Sequence, residues 1–429
     1  MIIAAAVLFS LIFLICLWLI FTEKLDRSLT SIAGAALMVG VGIILNLYTE
    51  SDALAAIDFN TLGLLLGMMI LVALLEPTGV FQFLAVWAGR LSRGRPILLL
   101  VLLGTVTTVL SMFLNNVTTV VLIAPVTILI SEILGINPLP YLVAEALLSN
   151  VGGVATLIGD PPNILIASAA NLTFDQFLTH SLPIVVAVWL AALLLIRFLF
   201  RHELSIKPPN TEVLMQLNPA EALEDRKTAW RALIVLAVTI LFFFIYHFFH
   251  ISPSYVALSG AVIALVWIRP KFDEVLKRVE WSVLIFFAAL FIMVGGLEAA
   301  GVLDALVRLM EHAAVIPPVL FGVLLIWVVA GLSAIVDNVP ITIALIPVIQ
   351  GLGAAGMDVG PLWWALAFGA GFGGNGTIIG STANIIVATL SEKTRTPITP
   401  KLWNKRGLPV MLATCAVASI LYAIAYPLF

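Results

Sequence analysis

Charge is what this chain has least of. Only 10% of its 429 residues are Asp, Glu, Lys or Arg, against 62% hydrophobic, and the mean hydropathy is +1.15. That composition points to a polytopic membrane protein, with room for roughly ten spans of about twenty residues. A net charge of −3 without a basic stripe gives no footing for a nucleic-acid partner. Cysteine is nearly absent: Cys16 and Cys415 stand alone in the first and last apolar segments. Neither has a CxxC or metal-spaced neighbour, which argues against disulfides and structural zinc. No Gly-x-x-x-x-Gly-Lys loop occurs, so any transport must draw on an ion gradient or on a separate ATPase subunit. An intramembrane aspartyl protease would need Gly at 157, where Leu157 stands, and the Asp-rich motifs of an isoprenoid transferase are missing. No catalytic residue, cofactor or resident metal is therefore expected. The run Ile2 to Phe21 has neither a basic leader nor a small-residue cleavage motif and reads as a retained first span.

What is present is a polar break in an apolar segment, Gly152-Gly153-Val154-Ala155-Thr156-Leu157-Ile158-Gly159-Asp160-Pro161-Pro162-Asn163. Consecutive prolines remove two backbone donors, and the glycines permit conformations that other residues avoid. A helix arriving from Tyr141 is expected to unwind here and restart near Ile164. At membrane depth, unwound backbone is tolerated only where protein buries it or a cavity receives it.

A second copy of the break follows. Thr156, Gly159 and Asn163 correspond to Thr377, Gly380 and Asn384, each 221 positions on. Upstream, Leu114-Asn115-Asn116-Val117 matches Val336-Asp337-Asn338-Val339, Pro125 matches Pro347, and Leu75-Glu76 matches Leu297-Glu298, all 222 apart. Colinear blocks at one spacing argue for an internal duplication. Interrupted hydrophobic segments at matching positions of two halves are the sequence pointer to a secondary transporter's binding site.

The expected fold is all-α and polytopic: two inverted-topology repeats, each with a re-entrant hairpin and a broken transmembrane helix. Spans are expected near Ile2–Phe21, Leu29–Tyr48, Asn60–Leu75, Leu182–Phe200, Ala232–Phe249, Ser252–Ile268, Ser282–Leu297 and Leu408–Leu428. Broken crossings are expected at Tyr141–Ala170 and Leu362–Leu390, with hairpins at Ile97–Ile130 and Val319–Ile349. This divides the chain into an N-terminal two-span segment (1–57), a first repeat (58–201), a cytoplasmic linker (202–229) and a second repeat with its leading spans (230–429). Basic residues cluster at Lys24 and Arg27, Arg90 to Arg95, Arg201 to Arg231, Arg269 to Arg278 and Lys393 to Arg406. Because Lys and Arg collect on the cytoplasmic side, the N-terminus is expected outside an inner or plasma membrane.

Candidate substrate ligands are Asn115, Asn116, Thr118, Thr156, Asn163, Asn338, Thr377 and Asn384. Carboxamide and hydroxyl oxygens suit a hard cation or polar solute, while freed amides at helix N-termini suit an anion. The alternative is that these side chains satisfy the broken backbone or bind helices together. Asp337, Asp160 and Glu145 are the ion-coupling candidates, because a carboxylate inside a membrane is costly and commonly functional. Capping or loop stabilisation is the alternative for both aspartates. Glu76 and Glu298 lie near span ends, where a structural role is favoured. His247 and His250, and the tryptophans at 87, 281, 363, 364 and 403, read as interfacial residues.

The segments GGVATLIGDPPNILI, IVDNVPITIALIPV and GGNGTIIGSTANIIVA resemble the signatures of the ion transporter superfamily, in the branch of the ArsB-type arsenite permeases and the melanosomal P protein. The similarity runs from about Asp58 to the end. Sodium-coupled dicarboxylate carriers and NhaD-like antiporters are more distant relatives. In the dicarboxylate carriers, Ser-Asn-Thr tips hold sodium and carboxylate; here only the central Asn116 and Asn338 carry over. The resemblance implies a scaffold part and a moving part, a homodimer and elevator-like alternation. It also implies a small inorganic solute, with efflux of arsenite or antimonite as the leading function, and the acid at 337, where the dicarboxylate carriers have a hydroxyl residue, makes the proton the expected coupling ion. Sodium/proton antiport and transport of carboxylates or oxyanions are the alternatives. Neutral arsenite trihydroxide suits oxygen and amide ligands such as Asn116, Thr156, Asn338 and Thr377, so cysteine is not required.

Overall fold

The computed structural model describes residues 2–21, 25–302 and 317–429, and among these every regular element is helical. Lys24, counted above with Arg27, lies outside the described residues. The first half runs through α1 (Ile2–Phe21), α2 (Arg27–Leu45), the short α3 (Glu50–Ala55) and α4 (Phe59–Leu75). Then come α5 (Val80–Leu91), hairpin arms α6 (Pro96–Ser111) and α7 (Asn116–Leu134), the broken crossing α8 (Leu139–Gly153) and α9 (Pro161–Ala170), and α10 (Phe174–Leu199). After a linker containing α11 (Thr211–Gln216) come α12 (Arg226–Phe242), α13 (Pro253–Ile268), α14 (Phe272–Leu276) and α15 (Trp281–Ala299). The second hairpin has arms α16 (Pro318–Ser333) and α17 (Asn338–Ala354). The second broken crossing is α18 (Gly360–Gly373) and α19 (Thr382–Ser391), and α20 (Pro400–Ala425) closes the chain.

Among the described residues, six segments are long and apolar enough to cross a membrane alone, including Phe174–Leu199 and Pro400–Leu428. Those two begin eight residues before the expected spans, because Pro183 and Pro409 are tolerated inside the helices and Thr173 and Thr399 cap the earlier starts. The first break is also shorter than expected. Gly152 and Gly153 remain helical, and the chain restarts at Pro161, since a proline in a first helical turn loses no intrahelical bond.

Two groups of helices each pack mainly among themselves and meet where α4 touches α9 and α15 touches α17. In the framework, α4 lies on α13, α2 on α15 and α1 on α2, so α4 and α15 each pair with a helix from the other half of the chain. In the second group, α6 packs on α8 and α16 on α18, with α10 and α20 outside them. Small residues permit this closeness: a Cβ on Gly67 would come 2.5 Å from the Ala257 carbonyl carbon. Trp87 and Trp281 are exposed, as an interfacial residue must be, whereas Trp363, Trp364 and Trp403 are buried, which overturns the interfacial reading for those three. Trp403 satisfies its indole N–H on the carbonyl of Asn375, 3.1 Å away.

Candidate functional site

Unwinding a helix orphans its carbonyls, and the two breaks solve this in the same way. The amide of Asn163 donates to the carbonyls of Gly153 and Thr156, both at 2.8 Å; the amide of Asn384 donates to Gly374 and Thr377 at 2.8 and 2.9 Å. The hydroxyl of Thr156 donates to the Met112 carbonyl in the first hairpin tip, and that of Thr377 to Ala334 in the second. Ser111 and Ser333 tie the same hairpins to the carbonyls of Ser149 and Ala370 at 2.8 and 2.7 Å. Thr156, Asn163, Thr377 and Asn384 thus direct polar groups at the broken backbone in matching pairs.

The remaining candidates converge where tips and breaks meet. From the second tip, Asn338 donates to Asp160 in the first break at 2.8 Å. The buried carboxylate of Asp160 faces Asn116, Asn338 and Asp337. Asn116 accepts from Ser111 at 2.5 Å and donates to Asn150 at 3.3 Å. Asn150 donates to Asn375 and Asn384 at 2.9 and 3.1 Å and accepts from Ser381 at 2.9 Å. Both donors and both acceptor positions of this one buried carboxamide are occupied, across both halves of the chain.

The tips are also tied to the framework. Asn115 caps α7 through the Thr118 N–H at 2.7 Å, and Asn115 and Thr118 both donate to Glu280, the residue before α15, at 3.2 and 3.1 Å. Its counterpart Asp337 caps α17 through Val339 N–H at 3.4 Å, accepts from Thr382 at 3.3 Å, and pairs with Arg27 at 3.3 Å. The guanidinium of Arg27 lies over the Phe286 ring, 5.7 Å from its centre. A small cavity of about 50 Å³ lies between these groups, bordered among the described residues by one guanidinium, Arg27, and three carboxylates, Asp160, Glu280 and Asp337. Beside it a cavity of about 360 Å³ extends between α4 and the first tip. Its charged lining is balanced: Lys277 and Arg278 against Glu76 and Glu280, with Arg278 paired to Glu76 at 3.0 Å.

Glu145 stands apart. It is fully buried between α7 and α8, accepts from Thr127 at 2.5 Å, and lines neither cavity. Sequence reasoning missed Arg27 and Glu280 as site residues, although Glu280 lies 222 positions after Asp58, the cap of α4. It also missed Asn150, whose position in the other half is Gly371.

Comparisons with known proteins agree with this architecture. Residues 17–369 match the model of the CitMHS family, described as "Citrate transporter". A "46 kDa membrane protein" of Mycobacterium leprae is 38% identical over 412 residues, 95% of this chain and 96% of that protein. An "Uncharacterized transporter" of Mycobacterium tuberculosis is 37% identical over 414 residues, 96% of each. The P protein of Homo sapiens is 32% identical over 95% of this chain, which spans 58% of that longer protein. The crystal structure of the Alcanivorax borkumensis YdaH transporter, described as having an unusual topology, aligns with a TM-score of 0.66 at 15% identity. That alignment covers 99% of this chain and 98% of the other, and shows a shared fold. These names support the superfamily resemblance; none singles out its arsenite branch.

Proposed function

This chain belongs to the CitMHS citrate transporter family of the ion transporter superfamily, and from that premise we propose that it is a proton-coupled secondary active transporter with Asp160 and Asp337 as its coupling groups. The observation that carries this is the excess of carboxylates, three against one guanidinium, where both tips and the first break meet. Such a cluster attracts cations or holds protons. The amide nitrogen of Asn338 is turned to Asp160, a donor arrangement that suits a carboxyl group rather than the oxygen shell of a metal ion.

The solute occupies the adjoining cavity of about 360 Å³. Its balanced charge favours a neutral, oxygen-rich solute such as arsenite or antimonite trihydroxide, bound by Asn115 and Thr118 in its wall, with Asn116 and Asn338 in the small cavity beside it, and moved outward. Lys277 and Arg278 in its wall, with the family's description, favour the second reading, a small carboxylate. The basic clusters support a multi-pass inner or plasma membrane protein with its N-terminus outside. The first hairpin then enters from the cytoplasm, the second from outside, and 202–229 is a cytoplasmic linker between inverted repeats. The same reading includes a homodimer with elevator-like motion, and an ATPase subunit only where no gradient is used.

Everted vesicles with an imposed proton gradient test this directly. Intact protein accumulates arsenite, and Asp337→Asn reduces accumulation to the level of vesicles lacking the protein. Citrate accumulation without arsenite accumulation replaces the solute by the second reading. Sodium-dependent collapse of the gradient, with neither solute moving, overturns the proposal in favour of sodium/proton antiport.

A further inference from the structure

We propose that Arg27 is a tethered cation that takes the place of the coupling proton on Asp337 and so prevents the empty carrier from returning. The inference rests on the proton-coupled reading above and adds the step that makes coupling obligatory.

The geometry starts from Asp337 Oδ2. It receives the Arg27 guanidinium and the Thr382 hydroxyl, both at 3.3 Å, while Oδ1 caps the α17 N-terminus through Val339. The other ionisable groups around this carboxyl are acidic: Asp160 from the first break and Glu280 from the start of α15. Arg27 is the one cation among the described residues bordering this cavity. A proton on Asp337 and the pairing with Arg27 are alternatives, because a neutral carboxyl gives the guanidinium no charge to hold.

The two groups also belong to different packing groups. Arg27 begins α2, which is fixed on α15 in the framework, and Phe286 of α15 supports its guanidinium. Asp337 begins α17 at the second tip. The pair therefore joins the framework to the tip only when the carboxyl is ionised. Protonated, the tip is free to move; deprotonated and empty, it is held. Solute in the adjoining cavity that reaches past Asn115, which borders both cavities, competes for the guanidinium and releases the tip. Without the clamp, the deprotonated empty form returns, and protons leak with no solute moved.

The test compares solute-independent proton leak in vesicles for intact protein, Arg27→Gln, Arg27→Lys and Arg27→His, alongside gradient-driven solute accumulation. Arg27→Gln is expected to raise the leak about fivefold or more and to lower accumulation, as loss of a coupling free energy of ordinary size does. Arg27→Lys keeps the charge and stays tight. Arg27→His is tight at acid pH and becomes leaky as pH rises through about 6.5, where imidazolium loses its charge, a pH profile that a packing defect does not produce. Intact coupling with an unchanged leak in Arg27→Gln overturns the inference while leaving the proton-coupled reading standing. If Arg27→Gln does not assemble, a pH-independent leak in Arg27→His overturns it equally. Absence of proton-coupled flux in the intact protein removes the reading on which it rests.

Discussion

The side-chain amide of Asn338, on the tip of the second hairpin, donates to the carboxylate of Asp160, in the break of the first crossing, at 2.8 Å. The two residues are 178 positions apart, and both are buried. An amide serves a carboxylate as donor and a protonated carboxyl as donor or acceptor, so Asn338 can remain bonded to Asp160 in either proton state. Removing it leaves a buried acid with one partner fewer. Asn338→Leu is therefore expected to destabilise the protein by about 2 kcal/mol, the scale of a lost hydrogen bond to a charged group. In Asp160→Asn/Asn338→Leu the added cost of losing Asn338 falls well below that value, because no charge is left to satisfy. Denaturant titration of the detergent-solubilised single and double variants measures this; strictly additive effects would show that the contact carries no coupling.

Asn150 gives a second expectation. Its carboxamide makes two donor and two acceptor bonds, reaching Asn116 in the first tip and Asn375, Ser381 and Asn384 in the second break. Asn150→Asp keeps the shape, removes both donors and places a carboxylate against two amide oxygens. A loss of about 3 kcal/mol or more follows from orphaning buried polar groups, with lower folded yield. Asn150→Leu is expected to cost less than Asn150→Asp, since it introduces no charge. Thermal unfolding in detergent ranks the two, and an Asp variant as stable as the intact protein would refute the network's importance.

How much was legible in advance follows from what duplication reveals. Thr156 with Thr377, and Asn163 with Asn384, stood out because they repeat, and the hydrogen bonds repeat with them. Repetition equally drew attention to residues whose work is holding unwound backbone in shape. The residues that make the two halves unlike each other have no repeat to announce them. Asn150 corresponds to Gly371 in the other half, and Arg27 sits in a basic cluster that sidedness alone explains; Asp160, whose counterpart is Ser381, is legible only because a carboxylate inside an apolar segment is costly. Local signals also misplaced the restart of α9, since Pro161 and Pro162 look like breakers until they are seen in a first turn. Trp403 resembled an interfacial residue because the carbonyl that satisfies its N–H, on Asn375, lies in the distant second break.

The glycines that end the breaks carry the last expectation. Gly159 and Gly380 are repeat partners, and each stands where backbone oxygens crowd the position of a side chain. A Cβ at 159 would lie 2.5 Å from the Gly153 oxygen and 2.9 Å from that of Ser111. A Cβ at 380 would lie 2.8 Å from the Gly374 oxygen and 3.0 Å from that of Ser333. Gly374 and Gly153 are repeat partners themselves, and their carbonyls accept from Asn384 and Asn163, so moving aside would break the bonds that seal the loop. Gly380→Ala and Gly159→Ala are thus each expected to destabilise by about 2 kcal/mol or more, as overpacking against unyielding atoms does. Gly331 on α16 is the control: nothing lies within 4 Å of its added methyl. Alanine there favours the helix by about 0.5 to 1 kcal/mol. Melting temperatures of the three variants should fall, fall and hold or rise; an undisturbed Gly380→Ala would mean that the second break is looser than its hydrogen bonds imply.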